Sequence, residues 1–301
     1  MFPAVAYSLF CNDLDFFNSE NCKITLYADD TCILIDSSSI KELKLKAQQI
    51  ISKICEWFKI NLLTINYTKS NYMFFSLRKE EINFPLHLNN TPILMVKTIK
   101  YLGINLQENL KWNDTLLDKI KSLVKLKYLF KFLKSCLPKD KLLLLYNSLV
   151  ISKLTYGIEF YGENPQYLLN RLQIIQNTFL KIILKKNNLF STSLLHSIAQ
   201  VLKINDLIYF RQCIFIHDIL NQPTNKNEFS ILSDLKYNNS RHNYPTRNKT
   251  IIIGKYSPLQ ERKISTICAK SWNDLSNDLK SIVNRNVFKN TLKTILINKY
   301  A

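Results

Sequence analysis

Two adjacent aspartates, Asp29 and Asp30, are the residues of this chain whose type and spacing best suit a chemical role. They follow Tyr27-Ala28 within residues 23–35, whose apolar and β-branched flanks predict two short strands around a tight turn. Neighbouring carboxylates at a hairpin tip repel each other, and a hard cation such as Mg²⁺ removes that cost because it takes oxygen ligands. Ions held in this way stabilise the attacking and leaving oxygens of a nucleotidyl transfer. The plain alternative is a turn, where aspartate is a common residue.

The residues after this turn predict the elements that must position it. Ser39-x-x-Glu42 has the pattern of a capping box, and apolar residues at steps of three and four then predict a helix of about twenty residues. Residues 72–77 predict a strand, Asn89-Asn90 a hairpin turn, and 99–106 another strand pair. These features predict a small sheet with one packed helix.

From about residue 108 onward the pattern is helical. A helix is predicted over 114–134, and its inward residues are Leu116, Ile120, Leu123 and Phe130. Further helices are predicted after Pro138, from Asn164-Pro165, and over 193–201, 205–221, 265–272 and 286–296. Residues 222–250 are polar, Asn-rich and poorly periodic, which predicts a linker or exposed loop. The predicted fold class is α+β.

The charge of the chain indicates a polyanionic partner. Lys and Arg number 41 against 23 Asp and Glu, and a net charge of +18 predicts a field that attracts phosphate backbones. The densest basic stretch lies on the helix predicted over 114–134, where Tyr128 and Phe130 are interleaved with lysines. These lysines are Lys119, Lys121, Lys125, Lys127, Lys131 and Lys134. The alternatives are a lysine-rich coding bias, an ordinary solvated helix face, and a basic helix at a membrane surface.

Other features of the composition argue against several classes of protein. The 7 cysteines form no C-x-x-C pair and the 4 histidines lack zinc-ligand spacing, which argues against a disulfide scaffold and a structural zinc site. An intracellular location, in the nucleus or the cytoplasm, fits this pattern. We expect no membrane partner, because there is no signal-peptide pattern and the apolar run 142–151 is too short to cross a bilayer. The oligomeric state does not follow from the sequence.

Several segments, in order along the chain, carry a resemblance to one family. The principal ones are 9–14 (LFCNDL), the YADD tetrapeptide 27–30, Trp57 with 61–70 (NLLTINYTKS), and 101–104 (YLGI). Others are Trp112 with the basic helix after it, Tyr156-Gly157, 241–247 (RHNYPTR), 271–273 (SWN) and Phe288-Lys289. They resemble the NDL segment, the YxDD motif, the W…NxLxLNxxKT stretch, the YLGI strand and the later regions of reverse transcriptases from jockey-like non-LTR retrotransposons.

The resemblance implies a domain organisation and an activity. Residues 1–107 would be the C-terminal part of the reverse-transcriptase palm, 108–221 a helical thumb and connection, 222–250 a linker, and 251–301 a helical tail. The implied activity is RNA-directed DNA synthesis with Mg²⁺. The implied partners are an RNA template, a DNA primer and deoxynucleoside triphosphates.

The resemblance also implies roles for residues near the acidic turn. Asp29 would be a metal ligand with Asp30 as its companion, and Tyr27 would lie against the template–primer. Lys69 would approach the leaving pyrophosphate. Without the resemblance, Lys69 is one of many solvated lysines.

The nucleic-acid contacts implied further along the chain are distributed over a turn and a helix. Leu102-Gly103 would form a close-packed turn under the primer, although Gly103 also suits a strand kink or bulge. Lys121, Lys125 and Lys131 would lie along the template–primer duplex. Asp13 is predicted to be structural.

The family's metal site includes a further aspartate on an earlier palm strand. That strand and the fingers of the polymerase would both lie before residue 1. We therefore expect a fragment that is inactive alone. The alternative is a non-catalytic, basic nucleic-acid-binding remnant.

Overall fold

The computed structural model describes residues 7, 9–76, 84–161, 165–221, 236–237, 251–252 and 263–300. The chain divides into two units, one of Met1–Tyr101 with Leu106–Leu110 and the other of Leu102–Asn105 with Lys111–Ala301. Short strands are concentrated in the first unit, and helices make up most of the second. The chain is thus mixed α and β, as predicted, whereas the division into palm and thumb stays a prediction.

The acidic turn joins two antiparallel strands in the first unit. A 3-10 helix, Cys11–Phe17, precedes β1, Cys22–Tyr27, which pairs with β2, Asp30–Ile35. Buried and exposed residues alternate from the start of β1, so one face of the hairpin is packed and the other is open.

Helix α1, Ile40–Ile60, supports the packed face of this hairpin. It begins after Ser39, whose hydroxyl oxygen accepts the backbone N–H of Glu42 at 3.3 Å, as the capping-box pattern predicts. Ile54 of α1 is buried in a cluster with Cys22 and Ile24. A second cluster joins the same helix to the later strands and consists of Ala47, Ile51, Cys55, Phe84, Leu86 and Leu88.

The remaining strands of the first part of the chain are short. They are β3, Asn71–Tyr72; β4, Leu86–Leu88; β5, Thr91–Met95; β6, Thr98–Tyr101; and β7, Ile104–Gln107. Asn89 and Asn90 join β4 to β5 with φ of 44° and 68°, which confirms the predicted turn.

The predicted small sheet is divided into several sheets, in which the β1–β2 and β4–β5 pairs are antiparallel. β1–β2, β3–β5–β4 and β6–β7 are separate sheets, and β3 pairs with β5 in parallel. The strand predicted over 72–77 is reduced to Asn71–Tyr72, residues 73–76 have no regular structure, and Leu77 lies outside the described residues. The pairs β1–β2, β4–β5 and β6–β7 each join consecutive strands, as local hairpins do, whereas β3 and β5 are not consecutive.

Helices account for most of the second unit, and they include those predicted from the sequence. They are α2, Asn113–Cys136; α3, Lys139–Tyr146; a π-helical turn, Asn147–Ile151; α4, Ser152–Thr155; α5, Ile158–Tyr161; α6, Gln166–Ile183; α7, Thr192–Ala199; α8, Ile204–Asn221; α9, Ile264–Asn273; α10, Asn277–Ser281; and α11, Arg285–Asn298.

The core of this unit contains the predicted inward face of α2. The four residues predicted to point inward, Leu116, Ile120, Leu123 and Phe130, are all buried. Phe130 meets Phe179 of α6 edge to face, with ring centroids 5.1 Å apart, so α2 and α6 share a packed seam.

A buried histidine ties α7 to α6. His196 is fully buried, and its Nδ1 lies 2.9 Å from the carbonyl oxygen of Val201, to which it must donate. Its Nε2 lies 3.1 Å from the side-chain amide nitrogen of Gln173 and 2.9 Å from Oδ1 of Asn177, both on α6. Burial lowers the pKa of His196 below its ordinary value.

Only a small part of the predicted linker lies within the described residues. β8, Lys236–Tyr237, pairs with β9, Ile251–Ile252. The side chain of Asn273 holds β9 by accepting from the backbone N–H of Ile251 and donating to its carbonyl, both at 2.9 Å. The rest of 222–250, including the motif at 241–247, lies outside the described residues.

All seven cysteines are free thiols. Five are buried, Cys32 is partly buried, and Cys136 at the end of α2 is exposed. Among the helices described here, none is long and apolar enough to cross a membrane.

Candidate active site and nucleic-acid interface

The two aspartates lie together at an exposed hairpin tip. Tyr27 pairs with Asp30 at the end of the ladder, so Ala28 and Asp29 form a two-residue turn. Ala28 has φ of 50°, a left-handed conformation that alanine rarely adopts. Both aspartates are exposed, and the predicted turn between strands is therefore confirmed.

Tyr27 and Asp30 share one face of the hairpin, because directly paired residues of an antiparallel ladder project to the same side. This face is opposite to the one that packs Cys22 and Ile24 against α1. Tyr27 is 63% exposed. An aromatic ring and a carboxylate are thus available together on an open surface.

Two tyrosines near the turn were not assigned a role from the sequence. The pKa of Tyr7 is raised to about 12, mainly by burial, then by its hydrogen bond to Cys11 and the charges of Cys11 and Asp29. Burial, followed by the nearby Cys32 and Asp30, raises the pKa of Tyr101. Tyr101 opens the YLGI motif, which was the available sequence signal. Tyr7 lies four residues before Cys11, and no motif in the sequence pointed to it.

The donor set at the turn fits part of a magnesium site. Mg²⁺ is commonly bound by one or two carboxylates, with water and substrate phosphate completing its shell. Asp29 and Asp30 supply two such groups. Within the described residues, no cluster of three or more His, Cys, Asp or Glu side chains that could hold a metal is present. The turn therefore presents two carboxylates, and the described residues add no third ligand beside them.

Lys69 lies in an exposed turn between α1 and β3. Its backbone N–H donates to the side-chain oxygen of Asn66 at 3.2 Å, which fixes the turn. In the described part of the chain, no ion pair joins its ammonium group to Asp29 or Asp30. The implied role of Lys69 stays a prediction.

The YLGI turn has an intramolecular partner. Leu102 and Gly103 have φ of 46° and 78°, which is the backbone of a tight hairpin turn. The hydroxyl of Tyr156 donates to the carbonyl oxygen of Leu102, and a Cβ at Gly103 would lie 3.5 Å from the Tyr156 ring. The positive φ of Gly103, rather than the space beside Tyr156, is therefore what favours glycine here, while primer contact at this turn stays a prediction.

The lysines of α2 do not form one uniform stripe. Lys121, Lys125 and Lys131 are exposed, and Lys121 makes only a 3.8 Å surface pair with Asp118. Lys119 is different because its ammonium donates to the carbonyls of Lys153 and Tyr156 at 2.7 and 2.9 Å.

Burial also lowers the pKa of Lys119 to about 8, although nearby Glu159 acts in the opposite direction. Its inclusion in the basic stripe was wrong. The sequence did not predict that Lys119 turns inward. Lys119 lies three residues after Leu116, at the edge of the apolar face, where a long lysine side chain can point to solvent or to the protein.

The sequence of this chain is similar to those of RNA-directed DNA polymerases from mobile elements. "Probable RNA-directed DNA polymerase from transposon X-element" of Drosophila melanogaster is 24% identical over 163 residues, which cover 53% of this chain and 18% of that protein. From the same organism, the "Probable RNA-directed DNA polymerase from transposon BS" is 25% identical over 187 residues, covering 59% and 21%. The "RNA-directed DNA polymerase from mobile element jockey" is 27% identical over 188 residues, covering 59% and 20%.

These similarities confirm the resemblance noted in the sequence motifs. The chain spans about a fifth of the length of the curated relatives it matches. No family model matches the chain. No solved structure matches it either.

Proposed function

We propose that this chain is the part of a retroelement RNA-directed DNA polymerase that carries one side of the metal site and a helical nucleic-acid-binding region. The observation that carries the proposal is the exposed YADD turn at the tip of the β1–β2 hairpin. Tyr27 and Asp30 lie on one face of this hairpin, and its other face packs on α1. Similarity to three polymerases of mobile elements supports it.

Asp29 and Asp30 are the proposed ligands of Mg²⁺. The bound ion would neutralise charge on the attacking and leaving oxygens of nucleotidyl transfer. Tyr27, on the same face as Asp30, contacts the template–primer. Lys69 neutralises the leaving pyrophosphate in this proposal.

The remaining proposed contacts hold the nucleic acid. Leu102-Gly103 supports the primer end, and Lys121, Lys125 and Lys131 contact phosphates of the duplex without reading its sequence. The partners are an RNA template, a DNA primer and deoxynucleoside triphosphates, and the location is the nucleus or cytoplasm.

A binding-only role is the second candidate, and one observation favours it. The described residues bring together two carboxylates at the turn and no third ligand, so the chain alone is proposed to bind template–primer without extending it. Losing one metal ligand in such a site costs orders of magnitude in rate.

Primer extension on an RNA template, with Asp29→Asn as the matched variant, tests both candidates. We expect salt-sensitive binding of the template–primer and no incorporation of deoxynucleotides by either protein. If the unchanged chain incorporated deoxynucleotides and the Asp29→Asn variant did not, the catalytic role would be supported and the binding-only role contradicted. Failure of the chain to bind any template–primer would contradict both.

A further inference from the structure

A second basic surface lies in the groove between the C-terminal parts of α2 and α6. The groove has a volume of about 940 Å³ and is entirely within the second unit. It is lined by six lysines, which are Lys127, Lys131, Lys134, Lys181, Lys185 and Lys186. Of these only Lys131 belongs to the proposed duplex-binding set, so the groove is largely a separate feature.

The positive charge of this groove is not balanced within the described part of the protein. No acidic residue is among the described residues that line it, and the ion pairs found in those residues include none of the six lysines. Both helices end nearby, and each C-terminus contributes about −0.5 elementary charge. Six ammonium groups exceed this by several charges, so the groove attracts anions.

The backbone at the end of α6 gives a second indication. Lys185 has φ of 52°, at the position after a helix where glycine is preferred because it carries no Cβ. The N–H of Lys186 donates to the carbonyl of Lys181 at 3.0 Å, which closes this helix end. Lys185, one of the six lysines of the groove, thus adopts the left-handed conformation with which α6 ends.

An exposed aromatic ring adjoins the lysines. Tyr128 of α2 is 63% exposed, and the ammonium groups of Lys127 and Lys131 lie 5.6 and 5.7 Å from its ring centroid. Both lysines also line the groove. Proteins that bind single-stranded nucleic acid combine a basic groove with an accessible aromatic ring. The groove contacts the phosphates, and a base stacks on the ring.

We propose that the groove between α2 and α6 binds a single-stranded segment of RNA or DNA, with Tyr128 as the stacking platform. The site is independent of metal binding at Asp29 and goes beyond the duplex contacts proposed above. An acidic protein segment would also be attracted by the lysines, but it would gain nothing from base stacking on Tyr128.

The first test measures binding of the full chain to fluorescein-labelled single-stranded oligothymidylate, about 12 nucleotides long to suit a site of this kind. The variant Lys134→Glu with Lys185→Glu should weaken binding about tenfold, since it removes two phosphate contacts and adds two repulsive charges. The matched control, Lys270→Glu with Lys289→Glu, changes the net charge equally at exposed lysines of α9 and α11. Equal weakening in the control would overturn the proposal.

The second test concerns the ring. Tyr128→Ala should weaken oligothymidylate binding about fivefold or more, whereas Tyr128→Phe should retain it, because base stacking needs the ring and not the hydroxyl. Tyr128 is mostly exposed, so neither change threatens the fold. Unchanged binding by Tyr128→Ala, or displacement of the oligonucleotide by polyglutamate as effective as by unlabelled oligothymidylate, would overturn the single-strand assignment.

A template–primer duplex probe separates this proposal from the polymerase function. The groove variant should lose more affinity for the single strand than for the duplex. Equal losses for both probes would overturn a distinct single-strand site. The double variant Lys121→Gln with Lys125→Gln changes only residues of the proposed duplex contact. Its loss of duplex binding would therefore bear on the proposed polymerase function and not on the single-strand site.

Discussion

The two glycines at and beside the YLGI turn show how local backbone geometry limits substitution. Gly103 and Gly157 both have positive φ, of 78° and 68°, but their surroundings differ. A Cβ at Gly103 would make an ordinary 3.5 Å contact with Tyr156, whereas one at Gly157 would lie 2.6 Å from the terminal methyl of Ile104. The two glycines are therefore not equivalent, although both follow an aromatic or apolar residue in the sequence.

Replacing each glycine by alanine tests this difference. Gly103→Ala should cost about 1–2 kcal/mol of unfolding free energy from backbone strain alone. Gly157→Ala should cost roughly a further 1 kcal/mol, because Ile104 must leave its preferred rotamer. Urea unfolding measures both. In an Ile104→Val background the extra cost should vanish, and its persistence there would show that the contact with Ile104 is not its cause.

His196 makes the stability of the second unit depend on pH. Its folded pKa is lowered by burial, so the unfolded state binds the proton more readily. Above the ordinary histidine pKa of about 6.5, His196 is neutral in both states and the full stability is present. Below that pH the free energy of unfolding falls by up to about 1.4 kcal/mol per pH unit. Unfolding free energies measured between neutral and mildly acidic pH should show this decline. His196→Gln should reduce the slope, and an unchanged slope would assign the decline to other groups.

At the scale of elements, α1 is the part that holds the acidic turn in place. Ile54 reaches the packed face of the hairpin, while neighbouring Lys53 is exposed. Ile54→Ala should cost about 2–5 kcal/mol because it leaves a cavity between α1 and the hairpin. Faster amide hydrogen exchange in 22–35, measured by mass spectrometry, should accompany it. Lys53→Ala should leave exchange unchanged; a similar effect from both substitutions would argue against this packing.

The elements predicted best from the sequence were those with a strong local signal. The apolar period of α2 identified its buried face, Asn89-Asn90 identified a turn, and Ser39 identified the start of α1. Strand pairing was predicted less well. The parallel pairing of β3 with β5 depends on residues about twenty positions apart, and no local turn signal reports it.

The candidate site shows the same division. The exposed acidic turn followed from residues 23–35 because its strands and turn are adjacent in sequence. The position of Tyr101 beside Asp30, and the groove lysines contributed by α6, depend on folding. Periodicity finds the face of one helix, but it does not say which other helix lies beside that face.

For the molecule as a whole, a net charge of +18 means that any nucleic acid is attracted to it. Affinity alone therefore identifies no site, and the dependence on salt is more informative. Replacing Lys121 and Lys125 by Gln should reduce the slope of log K against log salt for a duplex by about 1.8, or about 0.9 for each lost phosphate contact. Filter binding over a salt series gives this slope. Lys270→Gln with Lys289→Gln is the control, and equal changes in the two variants would exclude a specific duplex contact at α2.

The thiols of the protein provide a direct reporter for one of these surfaces. Cys136 is the exposed cysteine, and it follows Ser135, which lines the groove between α2 and α6. A maleimide dye sensitive to its environment should therefore attach at Cys136 in the folded protein without any engineered residue. Its emission would respond when a strand enters the groove, so occupancy could be followed in real time on native protein.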